Sequence, residues 1–337
     1  MKFSIGYQLT KTTDFLDAIL SNKESIYEVY FAWDGFANGR NTTYIADDFG
    51  EWDAAQRKMS DLRVLSQNGI PLNLLFNATC YGAESLSKTF FERIGNTVDF
   101  AKNTFGAVSV TTTSPLIGKF IKENFPGTEV RASVNMSIGT VEGMDYVAPY
   151  FDSFYLKREL NRNFAAIRNL KEWCAENGKQ LYALANSGCL NNCSAHVFHD
   201  NLVSHENELK KMDNGYVFQG ICKEYLSDPE KLPSLLDITS FIRPEDTGLY
   251  EGLFPALKLA TRVSSDPVRI LKAYIENKKY VGSVFDLLEP NHTEAILPYF
   301  LENSRIVSQT TDDKLVYTGL ENALWKLEDV FESETLT

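Results

Sequence analysis

The chain concentrates its soft metal-binding side chains in one short segment. Residues 187–199 contain two of the five cysteines and two of the four histidines of the sequence. They are Cys189, Cys193, His196 and His199. The segment directly follows a strand-like apolar run at 180–186. Thiolate and imidazole are the ligands that zinc and iron–sulfur clusters prefer, so this spacing predicts a metal or cluster site at the end of a strand.

Four cysteines are the predicted ligands of that site: Cys80, Cys189, Cys193 and Cys222. Four thiolates from three loops suit a 4Fe–4S cluster, with tetrahedral zinc as the alternative, and His196 or His199 could replace one thiolate. Free cysteine is also commonly buried as a small apolar residue, which is the competing interpretation of Cys80 and Cys222. Cys174 lies within a helical pattern and is predicted to pack.

Other catalytic patterns are weaker. Cys189 and Cys193 followed by His196 look like a radical S-adenosylmethionine motif, but that motif follows the first strand of its barrel and needs a third cysteine. The sequence has no Gly-x-Ser-x-Gly elbow. A nucleophilic pair of Cys189 with His196 can be drawn, although adjacency in sequence does not define catalytic geometry. His205 is followed by glutamate without the second histidine of a zincin.

Charge and composition limit the partners. The chain has 45 acidic and 33 basic residues, a formal net charge of −12. Binding to phosphate backbones or anionic membranes requires a basic face, so neither nucleic acid nor a membrane surface is an expected main partner. No apolar run approaches the roughly 18 residues of a membrane span. The odd cysteine count and the absence of a signal-peptide pattern favour a reducing cytoplasm.

Strand-like and helical patterns alternate along the chain. The predicted strands are 3–9, 26–33, 72–77, 107–112, 129–136, 151–157, 180–186 and 256–262. The predicted helices are 13–20, 51–67, 86–103, 115–123, 140–147 and 163–177. Repeated β-then-α units imply a parallel sheet.

Eight such strands predict a single TIM-barrel-like (β/α)8 domain over 1–290. A Cys/His-rich insertion at 187–236 follows strand seven, and 291–337 form a predicted helical extension. A doubly wound open sheet is the competing fold, weakened by the lack of Gly-x-Gly-x-x-Gly after the first strand.

In a barrel, chemistry lies at the carboxyl ends of the strands. Polar residues at those ends are therefore the predicted site, in one cavity. Arg158, Glu159 and Arg262 are the predicted catalytic residues, and Asn77, Asn135 and Arg243 are predicted to bind a small anionic or aromatic substrate. Helix caps, turns and structural ion pairs are the alternative roles for these side chains.

The strand motifs, in their order along the chain, resemble those of the collagenase-like peptidase family (peptidase family U32). The resemblance covers about residues 1–285 and rests on six segments. They are Val-Tyr-Phe at 29–31 with Gly-Arg-Asn at 39–41, Leu-Leu-Phe-Asn at 74–77, Arg-Ala-Ser-Val-Asn-Met at 131–136, Phe-Tyr-Leu-Lys-Arg-Glu-Leu at 154–160, and Leu-Lys-Leu-Ala-Thr-Arg at 257–262. Two departures are clear: Ala260-Thr261 stand where the family has Glu-Gly, and the Cys189–Cys193 spacing is shorter than usual.

The resemblance implies a barrel whose relatives include proteins named as proteases and others that support oxygen-independent hydroxylation. Several relatives bind a 4Fe–4S cluster through four cysteines, and some work as heterodimers. The leading hypothesis is therefore a cluster- or metal-dependent enzyme with a small-molecule substrate. A cysteine- or zinc-dependent peptidase and a non-catalytic partner subunit for a protein of the same family are the alternatives.

Overall fold

The computed structural model describes residues 1–40, 50–106, 108–276, 278–292, 296 and 298–326. Eight parallel strands close into a barrel in sequence order, with the last strand paired to the first. The strands are β1 Phe3–Gly6, β2 Ile26–Ala32, β3 Leu72–Phe76, β4 Val108–Thr112, β5 Val130–Ala132, β6 Ser153–Tyr155, β7 Gln180–Leu184 and β8 Leu257–Leu259. The predicted (β/α)8 barrel is therefore confirmed.

Helices follow the strands, and most of them cover the outside of the barrel. They are α1 Asp14–Ser21, α2 Glu51–Gln67, α3 Lys88–Phe105, α4 Pro115–Asn124, α5 Val141–Asp145, α6 Phe164–Glu176, α7 His196–Ser204, α8 Glu206–Leu209, α9 Ile221–Leu226 and α10 Pro267–Ile275. Several start at a capping side chain, because the first backbone N–H groups of a helix have no partner inside it. Ser87 accepts from Phe90 N–H at 3.1 Å, and Asn163 accepts from Ala166 N–H at 3.0 Å.

The observed strands are shorter than the apolar runs that predicted them. The run 129–136 forms only three strand residues, followed by a 3-10 turn over Val134–Met136. Residues past the strand ends leave the sheet and form the rim, where their polar groups meet one another rather than a neighbouring strand. Residue 107, the predicted start of the fourth strand, lies outside the described residues.

The interior of the barrel beneath the rim contains buried charged and polar side chains. Arg131 is fully buried and donates to Glu28 at 2.5 Å, and it makes a paired contact with Glu129. Its guanidinium lies 4.1 Å from the ring centroid of Tyr182. Burial alone would lower the pKa of Arg131, but Glu28 and the other neighbours raise it. A buried charge needs such partners, so this network fills the barrel beneath the rim.

Residues between β7 and β8 form an insertion that covers one side of the rim. The segment contains α7, α8 and α9, and an isolated bridge joins Leu190 to Thr239. The loop after β3 is tied to it, since the Thr79 N–H donates to Ser204 Oγ at 3.1 Å and the Thr79 hydroxyl donates to Asn201 at 2.8 Å. The cysteine-containing loop is thereby held above the strand ends.

The C-terminal residues differ from the predicted helical extension. Where described, they form two two-stranded antiparallel sheets from β9 Tyr299–Leu301, β10 Val307–Thr311, β11 Lys314–Thr318 and β12 Leu324–Lys326, with one short helix, α11 Leu320–Ala323. Asp312 and Asp313 have φ of 49° and 58°, the backbone of a two-residue hairpin turn. Threonine and valine around that turn favour strands. Residues 327–337 of the predicted tail lie outside the described part of the chain.

Within the described ranges, no helix has the length and apolar character that crossing a membrane would require.

Candidate functional site

A polar cavity opens at the carboxyl ends of the strands and has a free volume of about 50 Å³. It is lined by Tyr30, Gly39, Arg40, Asn77, Val134, Asn135, Arg158, Leu184, Asp200, Lys258, Ala260, Arg262, Val263 and Glu289. Four of the six predicted catalytic and substrate-binding residues, Asn77, Asn135, Arg158 and Arg262, meet here. They come from the loops after β3, β5, β6 and β8, which converge because all strands of a parallel barrel end on one face.

Arg158 is fixed by two contacts. Its Nη2 donates to Asn135 Oδ1 at 2.8 Å, and its Nη1 lies 2.7 Å from His196 Nε2. Asn135 in turn donates to the Asn77 carbonyl at 3.3 Å. A side chain at Gly39 would place its Cβ 2.6 Å from Asn135 Nδ2, so only glycine permits this close approach. The remaining nitrogen of the guanidinium, Arg158 Nε, is buried and has no hydrogen-bond partner in the described chain.

Arg262 also presents an unsatisfied nitrogen. It is 6 % exposed, lies 5.8 Å from the ring centroid of Tyr30, and its buried Nη1 lacks a partner among the residues described. Burial lowers the pKa of Arg262, and the nearby charge of Arg40 lowers it further. Gly6 makes this packing possible, because a Cβ there would lie 2.7 Å from Arg262 Cγ. An unpaired buried guanidinium costs free energy that an acceptor on a ligand would recover.

Lys258 lies on β8 in the same cavity. Its Nζ is 4.1 Å from the ring centroid of Tyr30 and 4.9 Å from that of Tyr155. Burial and then the charge of Arg262 lower its pKa from 10.5 to about 7, with Glu28 opposing the shift. A buried amine with a pKa near neutrality can both give and take a proton at physiological pH.

The charges of the cavity do not balance. Arg40, Arg158, Lys258 and Arg262 supply four cationic groups against the two carboxylates of Asp200 and Glu289, an excess of two positive charges when Lys258 is protonated. The Glu289 carboxylate accepts from Arg40 Nε at 3.0 Å. The cavity therefore favours a ligand with negative charge.

The Asp200 carboxylate lies 3.0 Å from His196 Nε2, which also faces Arg158. Burial alone would raise the pKa of Asp200, but the hydrogen bond with His196 and the charge of Arg158 lower it. His196 thereby links the insertion to the guanidinium of the cavity.

Three of the four predicted metal ligands are neighbours. Cys189 and Cys193 line a second, smaller cavity with Arg158, Glu159 and His196. Burial raises the pKa of the Cys222 thiol, and the charges of Cys189 and then Cys193 raise it further, as expected for thiols in one locality. These three cysteines are called the thiol group below.

Cys80 is not part of the thiol group. Its sulfur accepts from the Gly82 N–H at 3.4 Å, and the neighbouring His205, with that N–H, lowers the pKa of the Cys80 thiol. Across the described residues, no three histidine, cysteine, aspartate or glutamate side chains converge in a way that could hold a metal ion. The predicted four-thiolate set does not fit this arrangement, because Cys80 is engaged elsewhere. Cys174 packs in the core beside Met144, with 3.9 Å between the sulfur atoms, as predicted for a packing residue.

Two predicted site residues lie outside the main cavity. Glu159 faces the thiol group and accepts from the Asn192 N–H at 3.2 Å. Arg243 lies instead among the C-terminal residues, where its guanidinium donates to Asn303 and to Ser308, both at 2.9 Å, and is paired with Glu245. Arg243 is 2 % exposed, so the structure places it in a buried ion pair rather than beside a substrate.

Sequence reasoning missed Lys258, Tyr30, Arg40, Asp200 and Glu289 as cavity residues. Lys258 carried a usable signal, since a lysine inside an apolar barrel strand must either be paired or face a polar cavity. In the sequence, Arg40 stands out only as part of a glycine-containing loop, and its partner Glu289 lies far along the chain. Asn41, in the same loop, lies outside the described residues.

The fold and the cavity define a (β/α)8 barrel protein with a cationic pocket at the carboxyl ends of its strands. No family model matches the chain. The chain is 27 % identical over 293 residues to the "Uncharacterized protease MJ1657" of Methanocaldococcus jannaschii. The aligned residues cover 83 % of this chain and 80 % of that protein. Its fold is similar to that of the U32 peptidase Mk0906, with a TM-score of 0.53 and 15 % identity over 77 % of this chain and 91 % of the other.

The chain is thus similar in sequence to a protein named as a protease and similar in fold to a U32 peptidase. The structural likeness, at its low identity, shows the fold alone.

Proposed function

We propose that this protein is an enzyme that binds a small carboxylate in the rim cavity and moves a proton through Lys258. One observation carries the proposal: two buried guanidinium nitrogens, Arg158 Nε and Arg262 Nη1, line the same cavity without a partner in the described chain. Guanidinium groups match the geometry of a carboxylate better than that of a neutral ligand.

The residues divide into separate roles. Arg158 and Arg262 hold the anionic group, and Asn135 keeps Arg158 in place through its 2.8 Å hydrogen bond. Tyr30 donates its hydroxyl to the Leu259 carbonyl at 2.7 Å, so its ring is a fixed wall beneath Lys258 and Arg262. Lys258, with a pKa near neutrality, holds or releases a proton at the bound substrate.

Anion binding and protonation of Lys258 are coupled. Positive neighbours, chiefly Arg262, help burial to keep the pKa of Lys258 low. A bound carboxylate offsets those charges, so it raises the pKa of Lys258 and the complex takes up a proton above pH 7.

Titration calorimetry with small mono- and dicarboxylates tests the proposal. At pH 8, the expected result is binding with proton uptake, seen as a heat that depends on the ionisation enthalpy of the buffer. Arg262→Met should remove binding, and Arg269→Met, which changes an exposed arginine on α10, should not. Equal binding by the two variants would contradict the assignment of the cavity.

Cluster dependence and oxygen-independent hydroxylation are proposals that come from the family resemblance. The thiol group of Cys189, Cys193 and Cys222 is the candidate ligand set for a metal, but among the described residues no three such side chains converge as a metal site requires, and the separate placement of Cys80 argues against four-cysteine ligation. Iron and zinc analysis, with a visible absorption spectrum of protein purified without oxygen, tests this proposal, and a colourless, metal-free active protein would contradict it.

A peptidase is the second candidate, and a specific arrangement favours it. The relative from Methanocaldococcus jannaschii is named as a protease. In this chain, Cys80 has a histidine partner, as a thiol nucleophile requires. A non-catalytic role beside a partner of the same family is the third candidate, and co-purification of a second barrel protein would favour it.

A further inference from the structure

A second, larger cleft lies beside the rim cavity, and Arg262 lines both of them. The cleft has a free volume of about 410 Å³, against about 50 Å³ for the rim cavity. Sites for small molecules usually measure roughly 300–1,000 Å³, so the rim cavity alone has room for little more than an anionic head group. The cleft has the size that the rest of a ligand would need.

Two short segments of the chain run along both spaces. In the loop after β2, Asn38 lines the cleft, while Gly39 and Arg40 line the rim cavity. After β8, Arg262 lines both spaces, and the Ser264 carbonyl accepts at 2.9 Å from Nε2 of Gln8, which is a cleft residue. The rim cavity and the cleft are therefore neighbours on the carboxyl-end face of the barrel and share a wall.

The cleft has an aromatic wall that its neighbours hold in place. The ring centroid of Phe36 lies 5.1 Å from that of Phe76 and 6.2 Å from that of Phe90. The ring centroid of Trp33 lies 5.5 Å from that of Phe100. Phe36 and Trp33 are themselves only partly buried, and both line the cleft. Rings that are already fixed lose little freedom when a ligand packs on them, so this wall favours a flat aromatic group.

The charges around the cleft favour a neutral group there. The Asp34 carboxylate accepts from Lys58 Nζ at 3.0 Å, so these two charges offset each other. Glu51, at the start of α2, adds a further carboxylate to the lining. A second anionic group on a ligand would be repelled by Glu51, whereas a neutral ring would not. The negative charge of a ligand is therefore favoured at the Arg262 end.

Gln8 adds a specific polar requirement. Its Nε2 is engaged by Ser264, but its Oε1 is buried and accepts no hydrogen bond from the residues that the structure describes. A buried acceptor without a donor costs free energy, which an N–H group of a ligand would recover.

We propose that the cleft binds the aromatic end of the substrate, and that the substrate class is an N-aroyl amino acid with a single carboxylate. The carboxylate lies at Arg158 and Arg262, the amide N–H donates to Gln8 Oε1, and the aryl ring packs against Trp33 and Phe36. This inference rests on the proposed carboxylate site and names the class of compound that the site accepts.

Three ligands separate the parts of this proposal in titration calorimetry with the full chain. N-benzoylglycine has all three groups, N-acetylglycine lacks the ring, and 3-benzoylpropionate has a methylene in place of the N–H. N-benzoylglycine should bind at least about 10-fold more tightly than N-acetylglycine, because it buries a phenyl ring. 3-Benzoylpropionate should bind about 10-fold more weakly than N-benzoylglycine, because Gln8 Oε1 would stay unpaired.

Three variants test the location. Ala55 lines the cleft from α2 and is not among the residues that line the rim cavity, and Gln56 is its exposed neighbour on the same helix. Ala55→Phe should fill the cleft and remove the preference for N-benzoylglycine while N-acetylglycine binds as it does to the parent. Gln56→Phe, the matched control, should keep the preference. Gln8→Ala removes the acceptor and should make N-benzoylglycine and 3-benzoylpropionate bind equally.

The outcomes distinguish this inference from the proposed function. Binding of N-acetylglycine without a preference for N-benzoylglycine, or a preference that persists in Ala55→Phe, would overturn the assignment of the cleft and leave the carboxylate site intact. Equal affinity of the parent for N-benzoylglycine and 3-benzoylpropionate would overturn the role of Gln8. If the parent binds none of the three ligands, the carboxylate site itself is wrong, and this inference fails with it.

Discussion

Arg158 is the residue on which the rim cavity most directly depends. It is held between Asn135 and His196 at the cavity wall. A charged hydrogen bond contributes about 1.5–3 kcal/mol. Arg158→Ala should therefore weaken binding of a small carboxylate by roughly 10- to 100-fold, measured by calorimetry, with a thermal midpoint close to that of the parent. A large loss of thermal stability with binding intact would instead identify Arg158 as a structural ion-pairing residue.

Lys258 gives the cavity a pH dependence with a definite sign. Its pKa is about 7 in the folded chain and about 10.4 in an unfolded chain. Between these values the unfolded state binds more protons, so the contribution of Lys258 to the free energy of unfolding rises with pH. Below pH 7 Lys258 is protonated in both the folded and the unfolded state. The folded state then bears the full free-energy cost of burying the charged ammonium group.

Lys258→Met should therefore stabilise the protein most at pH 6, and the gain should shrink towards pH 10. Urea unfolding at both values measures the difference. Lys272→Met, which replaces an exposed lysine on α10, provides the matched control and should show no such trend. A gain that is equal at the two pH values would show that the methionine acts through packing alone.

At the scale of elements, α3 depends on the cap at Ser87. Its hydroxyl oxygen accepts from the Phe90 N–H, and loss of such a cap costs about 1 kcal/mol. Ser87→Ala should lower the free energy of unfolding by about that amount in a denaturant titration. Ser87→Gly is the matched control, because glycine at a cap position costs only a few tenths of a kcal/mol. Equal losses in the two variants would contradict a capping role.

The elements were largely predictable because their signals are local. Apolar runs marked all eight strands, and α2 begins and ends at the predicted residues, Glu51 and Gln67. The predicted strands extend past the observed strand ends, because a rim residue and a buried strand residue have the same apolar neighbours in sequence. The hairpin of β10 and β11 was missed, since an Asp-Asp turn lacks the glycine that usually signals it.

The site was less predictable because its contacts are distant in sequence. The rule that chemistry lies at the carboxyl ends of barrel strands correctly predicted that one cavity contains Asn77, Asn135, Arg158 and Arg262. It could not foresee that Thr79 fastens its loop to Ser204 and so turns Cys80 towards His205 instead of the thiol group. Nor could it place Arg243, whose partners in the C-terminal sheets are outside the barrel.

At the scale of the whole molecule, the acidic charge opposes nucleic-acid binding. A net charge of −12 and the lack of a long basic run leave few groups to replace the counterions of a phosphate backbone. We expect no tight binding to mixed cellular RNA at physiological salt. A salt titration of RNA binding measures this, and submicromolar affinity that falls steeply with salt would reveal a basic face and favour an RNA substrate.

The insertion between β7 and β8 has a consequence for how such proteins diverge. Because an isolated bridge joins Leu190 to Thr239, the segment between them leaves and rejoins the rim at adjacent points. A loop with fixed, adjacent ends can change greatly in length at small cost in closure entropy. It can therefore be exchanged as a module, carrying His196, His205, Cys193 and Cys222 with it, while the barrel keeps Arg262 and Lys258. Related barrels that keep the same pocket can thus acquire different chemistry when the insertion above it is replaced.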